Sequence, residues 1–414
     1  MTPEFEARLK KAVDEGVLPH VVLLARDKSG KINYSFSYGP SSLKPGAPPV
    51  SPTTLFTLAS FTKLLTSLCL LLLVHQGVLD LDEDVTSYLP TLAEQPILDG
   101  FSGGIDTQEI HTDADPGKPI YSRRTVPITL RHLLTHTAGT GYLFMDPRLT
   151  RWARATGRPL PVPLRKSPLS GGQSIDSRFN YPLLFEPGTG WVYGSGLDWA
   201  GRLIEVLTGG FFDDFLYENV LMRVGVPKGG ITFHPGKFSD AAPVDAFAGM
   251  AERDPATGKV VHYETEVDPD NEGFGGEGLF GGLGEYMKVM HSLLVDDGKV
   301  LPPEVTKWLF TPLLKSEEEK QGLKEALKNP DWLPSWVPQG IEYDWSAGGL
   351  LSVGGELGHR GKMFLQWAGA WNLTWFIDRE KGVCAIFGTQ IFPPGDAQTR
   401  EFSKEFEELI YAQL

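Results

Sequence analysis

The two ends of the chain carry the same kind of pattern, and that constrains the fold more than any other feature. Phe5, Leu9 and Val13 recur every four residues and Gly16 follows as a stop, which reads as an amphipathic helix. His20 to Ala25 is then a short apolar run, Lys28-Ser-Gly30 a turn, and Ile32, Tyr34, Phe36 and Tyr38 alternate strictly, which predicts a β-hairpin. Near the other end, Gly361 to Ile377 and Gly382 to Gln390 are aromatic and β-branched runs separated by Asp378-Arg-Glu-Lys-Gly382, a second hairpin signal. A closing helix over Glu401 to Leu414 carries Phe402, Phe406, Leu409 and Ile410 on one face. Strands from both termini therefore predict one antiparallel sheet flanked by helices, in the α+β class. On this reading residues 1–414 form a single domain: about 1–60 and 340–414 make the sheet lobe, and about 61–339 an inserted, mainly helical and loop lobe. Helical patterns at Lys63 to Gln76, Leu130 to Thr135, Asp198 to Leu207, Phe211 to Leu221 and Gly284 to Leu294 populate the insert. Phe101 to Tyr121 and Gly39 to Pro52, rich in Gly, Pro and acids, read as surface excursions.

Glycine (47) and proline (32) together form about a fifth of the 414 residues, against ~12% in average proteins, so much of the chain is spent in loops that can build a site. The formal charge of -14 argues against nucleic acid or an anionic membrane surface as a partner. Cys69 and Cys384 both lie inside apolar runs and read as buried free thiols rather than a disulfide. The N-terminus lacks a basic segment followed by an apolar one, so no signal peptide is visible. The longest apolar stretch, Leu64 to Val74, falls well short of the ~20 residues that span a membrane. These features predict a soluble, cytoplasmic protein.

Ser60-Phe-Thr-Lys63 opens the helix over Lys63 to Gln76. Residues i and i+3 share a helix face, and unpaired N–H groups at a helix start stabilise a developing anion. Lys63, one turn on and flanked by apolar residues, is placed to take the serine hydroxyl's proton. An ordinary helix-capping role for Ser60 stays open at this level, because Ser41-Ser-Leu-Lys44 fits the same four-residue pattern in a loop that Pro45 keeps from being helical. Gly100-Phe-Ser-Gly-Gly104 fits a nucleophile elbow but leads into a polar loop, not a helix. Gly276-Glu-Gly-Leu-Phe-Gly281 fits a dinucleotide fingerprint but follows the acidic Val267 to Glu272 rather than a buried strand, so a tight glycine turn is the simpler reading. No metal site is expected: Asp268, Asp270 and Glu272 lack the closing glutamate of a calcium loop, and His132 and His136 have no third ligand and read as structural. Tyr193, within Pro187-Gly-Thr-Gly-Trp-Val-Tyr-Gly-Ser195, stands at the mouth of a new helix, where a phenol can point into a cleft.

Taken in order, Leu58-Ala-Ser-Phe-Thr-Lys63, Ile128-Thr-Leu-Arg-His-Leu-Leu-Thr-His-Thr-Ala-Gly139, Pro187-Gly188 through Tyr193-Gly-Ser195, and Gly275-Gly-Glu-Gly-Leu-Phe-Gly-Gly282 resemble the serine β-lactamase and penicillin-binding-protein superfamily. The likeness covers nearly the whole chain and is to the class C-like esterase and transesterase branch. It implies Ser60 as acyl-forming nucleophile, Lys63 and Tyr193 as coupled proton acceptors, and an oxyanion hole from backbone N–H groups. One belongs to Ser60; the other comes from the strand of the third motif. Lactamases usually carry Lys-Thr-Gly there, and here two substitutes compete: Trp367-Ala-Gly369, with Ala370 N–H as donor, and His359-Arg-Gly361. Trp367 in place of a lysine points away from anionic β-lactams and toward neutral esters or thioesters. Ser195 where lactamases usually have Asn points the same way. The resemblance and the aromatic content put Tyr142, Arg178, Trp367, Trp371 and Phe392 on the pocket walls. The implied reaction is transfer of a short acyl group, without a cofactor, from a thioester to a secondary-metabolite alcohol. The donor is a small molecule or an acyl carrier domain of a polyketide synthase. A carboxylesterase using the same serine, and a catalytically idle binding protein, are the alternatives.

Overall fold

The computed structural model describes residues 1–104, 114–159, 174–238, 247–264, 272–328 and 330–414. Its centre is a seven-stranded sheet built from β1 (Val21–Asp27), β2 (Asn33–Tyr38), β3 (Ile341–Trp345), β4 (Leu350–Gly355), β5 (Phe364–Gly369), β6 (Leu373–Asp378) and β7 (Val383–Gly388). The order is β3-β4-β5-β6-β7-β1-β2, antiparallel throughout, so β1 from one end of the chain pairs with β7 from the other, Leu24 opposite Ile386.

Strand periodicity sorts the side chains of this sheet between two cores. Val21, Leu23 and Ala25, with Phe376 and Phe387, face the N-terminal helix Pro3–Asp14 and the closing helix Ala397–Tyr411, where Phe5, Leu9, Phe406 and Ile410 are buried. Val22 and Leu24, with Trp375 and Ile386, face the larger core. The helix Thr62–His75 runs into that core. Every residue from Thr62 to Leu73 is buried, which suits a helix apolar on all sides. The helix Leu283–Val295 covers β1 and β7 on the same face.

Several sequence expectations need redrawing. The run Gly361 to Ile377 is two strands, β5 and β6, because Ala370-Trp-Asn372 makes a tight turn with Asn372 at φ 63°. β3 and β4, which no alternation announced, extend the sheet at one edge. The supposed excursion Phe101 to Tyr121 carries hairpin strands at both ends: Ile97–Ser102 pairs with Lys118–Ser122. The helix beginning at Phe212 ends at Leu216 and continues as a wider turn, Tyr217–Leu221. The candidate calcium positions Asp268 and Asp270 lie outside the described residues, and the Glu272 carboxylate accepts from the Ile175 N–H at 2.8 Å. Cys69 and Cys384 are free, buried thiols. Among the described residues no helix is long and apolar enough to cross a membrane.

Candidate active site

The short strand Leu55–Thr57 pairs with Phe280–Gly282, and the Leu58 N–H is tied to the Leu279 carbonyl at 2.9 Å. Ala59 then takes a left-handed conformation, φ 46°, a position that costs roughly 1 kcal/mol for a residue with a Cβ. The chain winds through a 3₁₀ turn, Ala59–Phe61, into the helix Thr62–His75. Ser60 sits on that turn, half-buried, with Ala59 and Phe61 buried on either side.

Lys63 Nζ, one turn on, donates to Ser60 Oγ at 3.1 Å, to the Tyr142 hydroxyl at 3.2 Å and to the Gly276 carbonyl at 2.7 Å. The Tyr193 hydroxyl donates to Ser60 Oγ at 2.7 Å and accepts from Trp367 Nε1 at 3.2 Å. Lys63 Nζ also lies 4.7 Å from the centre of the Tyr193 ring, within reach of a cation–π attraction. An amine and a phenol therefore meet on one half-buried hydroxyl.

Three backbone segments hold this arrangement. Gly194 lies so close to the Thr140–Gly141 backbone that a Cβ on it would fall 1.8 Å from the Thr140 carbonyl oxygen. His136 ends the helix Leu130–Thr135 in a left-handed conformation, and its Nδ1 accepts from the Gly194 N–H at 3.3 Å. Its ring packs 4.7 Å from Tyr193, with Trp345 and Trp191 around it. Burial first, and the Lys63 charge second, hold the His136 pKa well below the ordinary imidazole value, so the ring is neutral and serves as a wall. Gly275 to Glu277 form the third side: the Gly275 carbonyl accepts from Thr66 Oγ1 at 2.6 Å, and the Gly276 N–H donates to Asp198 Oδ1 at 2.9 Å.

Asp198 is fully buried in the first turn of the helix Gly196–Thr208, and its other oxygen accepts from the Tyr142 hydroxyl at 2.9 Å. Burial, with Glu277 nearby, raises its pKa to about 6; Lys63, Arg178 and the Tyr142 hydrogen bond oppose the rise. Burial, then the charges of Asp198 and Glu277, push the Tyr142 phenol well above its usual range.

With this geometry in view, comparison with known proteins is decisive: the Beta-lactamase family matches residues 5–407. The chain belongs to the beta-lactamase family. It is 34% identical over 418 residues to monacolin J acid methylbutanoyltransferase of Aspergillus terreus, covering 99% of this chain and 95% of that one. Lovastatin esterase of Penicillium rubens is 32% identical over 417 residues, covering 98% and 97%. The solved structure of unliganded, selenomethionyl simvastatin synthase from Aspergillus terreus superposes with a TM-score of 0.84 at 34% identity, covering 99% of this chain and 98% of that one. This beta-lactamase family member is an enzyme of the acyltransferase and esterase kind. The reading as an idle binding relative falls with that.

The beta-lactamase fold here brings Ser60, Lys63, Tyr193 and Trp367 together. Ala370 follows β5, whose Gly369 lies against the Ser60 segment: a Cβ there would meet the Leu58 carbonyl oxygen at 2.6 Å. The rival third motif is engaged elsewhere, with His359 Nε2 at 2.8 Å and Arg360 Nε at 2.6 Å from Glu407 on the closing helix. Tyr142, expected as a pocket wall, is buried and its hydroxyl is committed to Lys63 and Asp198. Arg178 pairs with Glu277 at 2.5 Å and lies over the Phe179 and Phe274 rings. Trp371 and Phe392 form a separate aromatic group with Tyr263, and Trp371 is only 1% exposed. Ser102 is exposed at the end of a hairpin strand, and Gly276 to Gly281 run into the strand Phe280–Gly282, not into a phosphate-binding turn. Asp198 is the site residue that sequence reasoning missed, and Gly276 was read only as part of its glycine motif, with no role of its own. The available signal was an acid on the apolar face of the helix directly after Tyr193-Gly-Ser195.

Proposed function

We propose that this enzyme is a serine acyltransferase that moves a short acyl group from a thioester to a hydroxyl of a secondary metabolite. The observation that carries the reading is the convergence of Lys63 Nζ and the Tyr193 hydroxyl on Ser60 Oγ, at 3.1 and 2.7 Å. In the first half-reaction the Ser60 O–H proton passes to the Lys63–Tyr193 pair as Oγ bonds to the thioester carbonyl carbon. The N–H groups of Ser60 and Ala370 receive the carbonyl oxygen as it becomes anionic. Collapse breaks the C–S bond, and the thiolate leaves with the stored proton as a thiol. In the second half the acceptor O–H gives its proton to the same pair while its oxygen attacks the acyl carbon, and Ser60 Oγ departs and regains the proton.

Trp367 in place of a cation favours a neutral substrate, and Trp332, Trp345 and Trp367 surround the Tyr193 ring with apolar side chains that disfavour water beside it. The relatives named monacolin J acid methylbutanoyltransferase and simvastatin synthase support transfer. On this reading the enzyme works in the cytoplasm, and acyl thioesters or a polyketide synthase carrier domain supply the donor. Hydrolysis by the same serine is the second reading, favoured by the likeness to lovastatin esterase.

One experiment tests both readings. A short acyl thioester is supplied with a panel of hydrophobic polyketide or terpenoid alcohols, and ester is measured against free acid. Ester should dominate with a fitting acceptor, and p-nitrophenyl butyrate should add one acyl mass to the Ser60 peptide. Free acid alone at a rate that no acceptor changes gives the esterase reading; label on Ser41 or Ser102 removes the Ser60 assignment.

A further inference from the structure

We propose that Asp198, acting through Tyr142, is a positioning residue that aims the lone pair of Lys63 at Ser60. The inference rests on the reading of Ser60 and Lys63 as nucleophile and base. It starts from a closed ring of hydrogen bonds: Lys63 Nζ to the Tyr142 hydroxyl, Tyr142 to Asp198 Oδ2, the Gly276 N–H to Asp198 Oδ1, and Lys63 Nζ back to the Gly276 carbonyl. A carbonyl oxygen can only accept. The Tyr142 proton is committed to the carboxylate, so the Tyr142 oxygen can also only accept from Lys63. Two of the three positions around Nζ are thereby fixed as N–H donors. The third faces Ser60 Oγ: in the ammonium form it is the N–H donated to Oγ, and in the neutral amine it is the lone pair that takes the serine proton.

The polarity of the ring depends on the charge of Asp198. Once that carboxyl is protonated, or replaced by an amide, it donates to the Tyr142 oxygen; the Tyr142 O–H can then turn to Lys63 and occupy the lone pair. The groups facing Asp198 are Lys63, Tyr142, Tyr181, Arg178 and Glu277. Burial raises the Asp198 pKa to about 6, so the reversal falls within an accessible pH range. Gly276 completes the ring because a Cβ there would lie 2.4 Å from Asp198 Oδ2 and 2.7 Å from the Tyr142 oxygen.

The test is a double-mutant cycle on p-nitrophenyl butyrate turnover with thermal melts. Asp198→Asn should lower kcat on the order of 10- to 100-fold with KM within about twofold, and should not lower the melting temperature, because the substitution removes a buried charge. Adding Tyr142→Phe should restore much of the lost kcat, since no hydroxyl remains to turn. Tyr142→Phe alone, the variant to use if Asp198→Asn fails to fold, should move the acid limb of kcat to lower pH. Wild-type kcat in Asp198→Asn, no recovery in the double variant, or an unmoved acid limb in Tyr142→Phe overturns the proposal. Acyl label on Ser60 in the unmodified enzyme separates such a failure from failure of the nucleophile assignment itself.

Discussion

In the proposed mechanism Lys63 and Tyr193 share one task, and their geometry predicts how their removal should combine. Both reach the same oxygen of Ser60, and Lys63 Nζ lies over the Tyr193 ring. Either group alone leaves the proton without its full path, so Lys63→Ala and Tyr193→Phe should each slow turnover on the order of 10²- to 10⁴-fold. The double variant should be little slower than the worse single, as residues acting as a unit are strongly non-additive. Turnover equal to the product of the two single losses would mean two independent roles. Ser60, Lys63 and Tyr193 were legible in the sequence because each sits in a short local motif and the motifs follow a family order. The link from Asp198 to Gly276 was not, although Gly276 lies in the last of those motifs, since the two are separated by 78 residues and meet only when the helix Gly196–Thr208 packs against the Gly275 to Glu277 segment. Tyr142 was assigned to the pocket wall for a similar reason: an aromatic ring is visible in a sequence, but the destination of its hydroxyl is not.

Among elements, the Tyr193 segment shows how a glycine can act on catalysis without touching substrate. The bridge between Gly141 and Gly194 and the Ser195 N–H to Thr140 carbonyl bond fix Tyr193 against the loop after His136. With 1.8 Å between a Cβ on Gly194 and the Thr140 oxygen, Gly194→Ala must push the two backbones apart, and the Tyr193 hydroxyl moves with them. Misplacement by about 1 Å can cost on the order of 10²-fold in rate, so kcat should fall by about that much. Gly210→Ala is the matched control: nothing lies within 4 Å of a Cβ there, and turnover should be unchanged. Equal activity in the two variants would show that the bridge does not position Tyr193. Elements with strong periodicity were readable: the helix at Leu130–Thr135 appears with the expected bounds, and those at Thr62–His75 and Leu283–Val295 begin and end within a residue of expectation. β3 and β4 were missed because they close the sheet edge with mixed burial and weak alternation. The β5–β6 turn was missed because Trp371 and Asn372 resemble strand continuation until Asn372 is seen at positive φ.

For the whole molecule, the buried His20 and His136 and the half-buried His132 set the response to acid. Burial lowers the pKa of His20 and His132 to about 4, and holds that of His136 well below its ordinary value with help from the Lys63 charge. The unfolded chain takes up protons on these rings near pH 6.5, whereas the folded chain refuses them until about pH 4. The unfolded state therefore binds more protons in that window, and stability present above pH 6.5 is lost as the pH falls through it. For the fully buried His20 alone the loss reaches about 3 kcal/mol by pH 4, a large part of the ~5–15 kcal/mol that holds a typical domain folded. Asp198, Glu205 and Asp344, whose pKa values burial raises, run the other way, since acid relieves the cost of their charge. Carboxylates with lowered pKa values, such as Asp396 and Glu407, lose their contribution only at more acid pH. Between pH 6.5 and 4.5 the histidines are the groups that destabilise, and they outweigh the opposing acids if the His20 site behaves as its burial requires. The urea midpoint should fall steadily from pH 7.5 to pH 4.5, and His20→Gln should flatten that slope even if it lowers the midpoint at pH 7.5. A midpoint independent of pH, or an equal slope in His20→Gln, would show that these rings already accept protons in the folded protein.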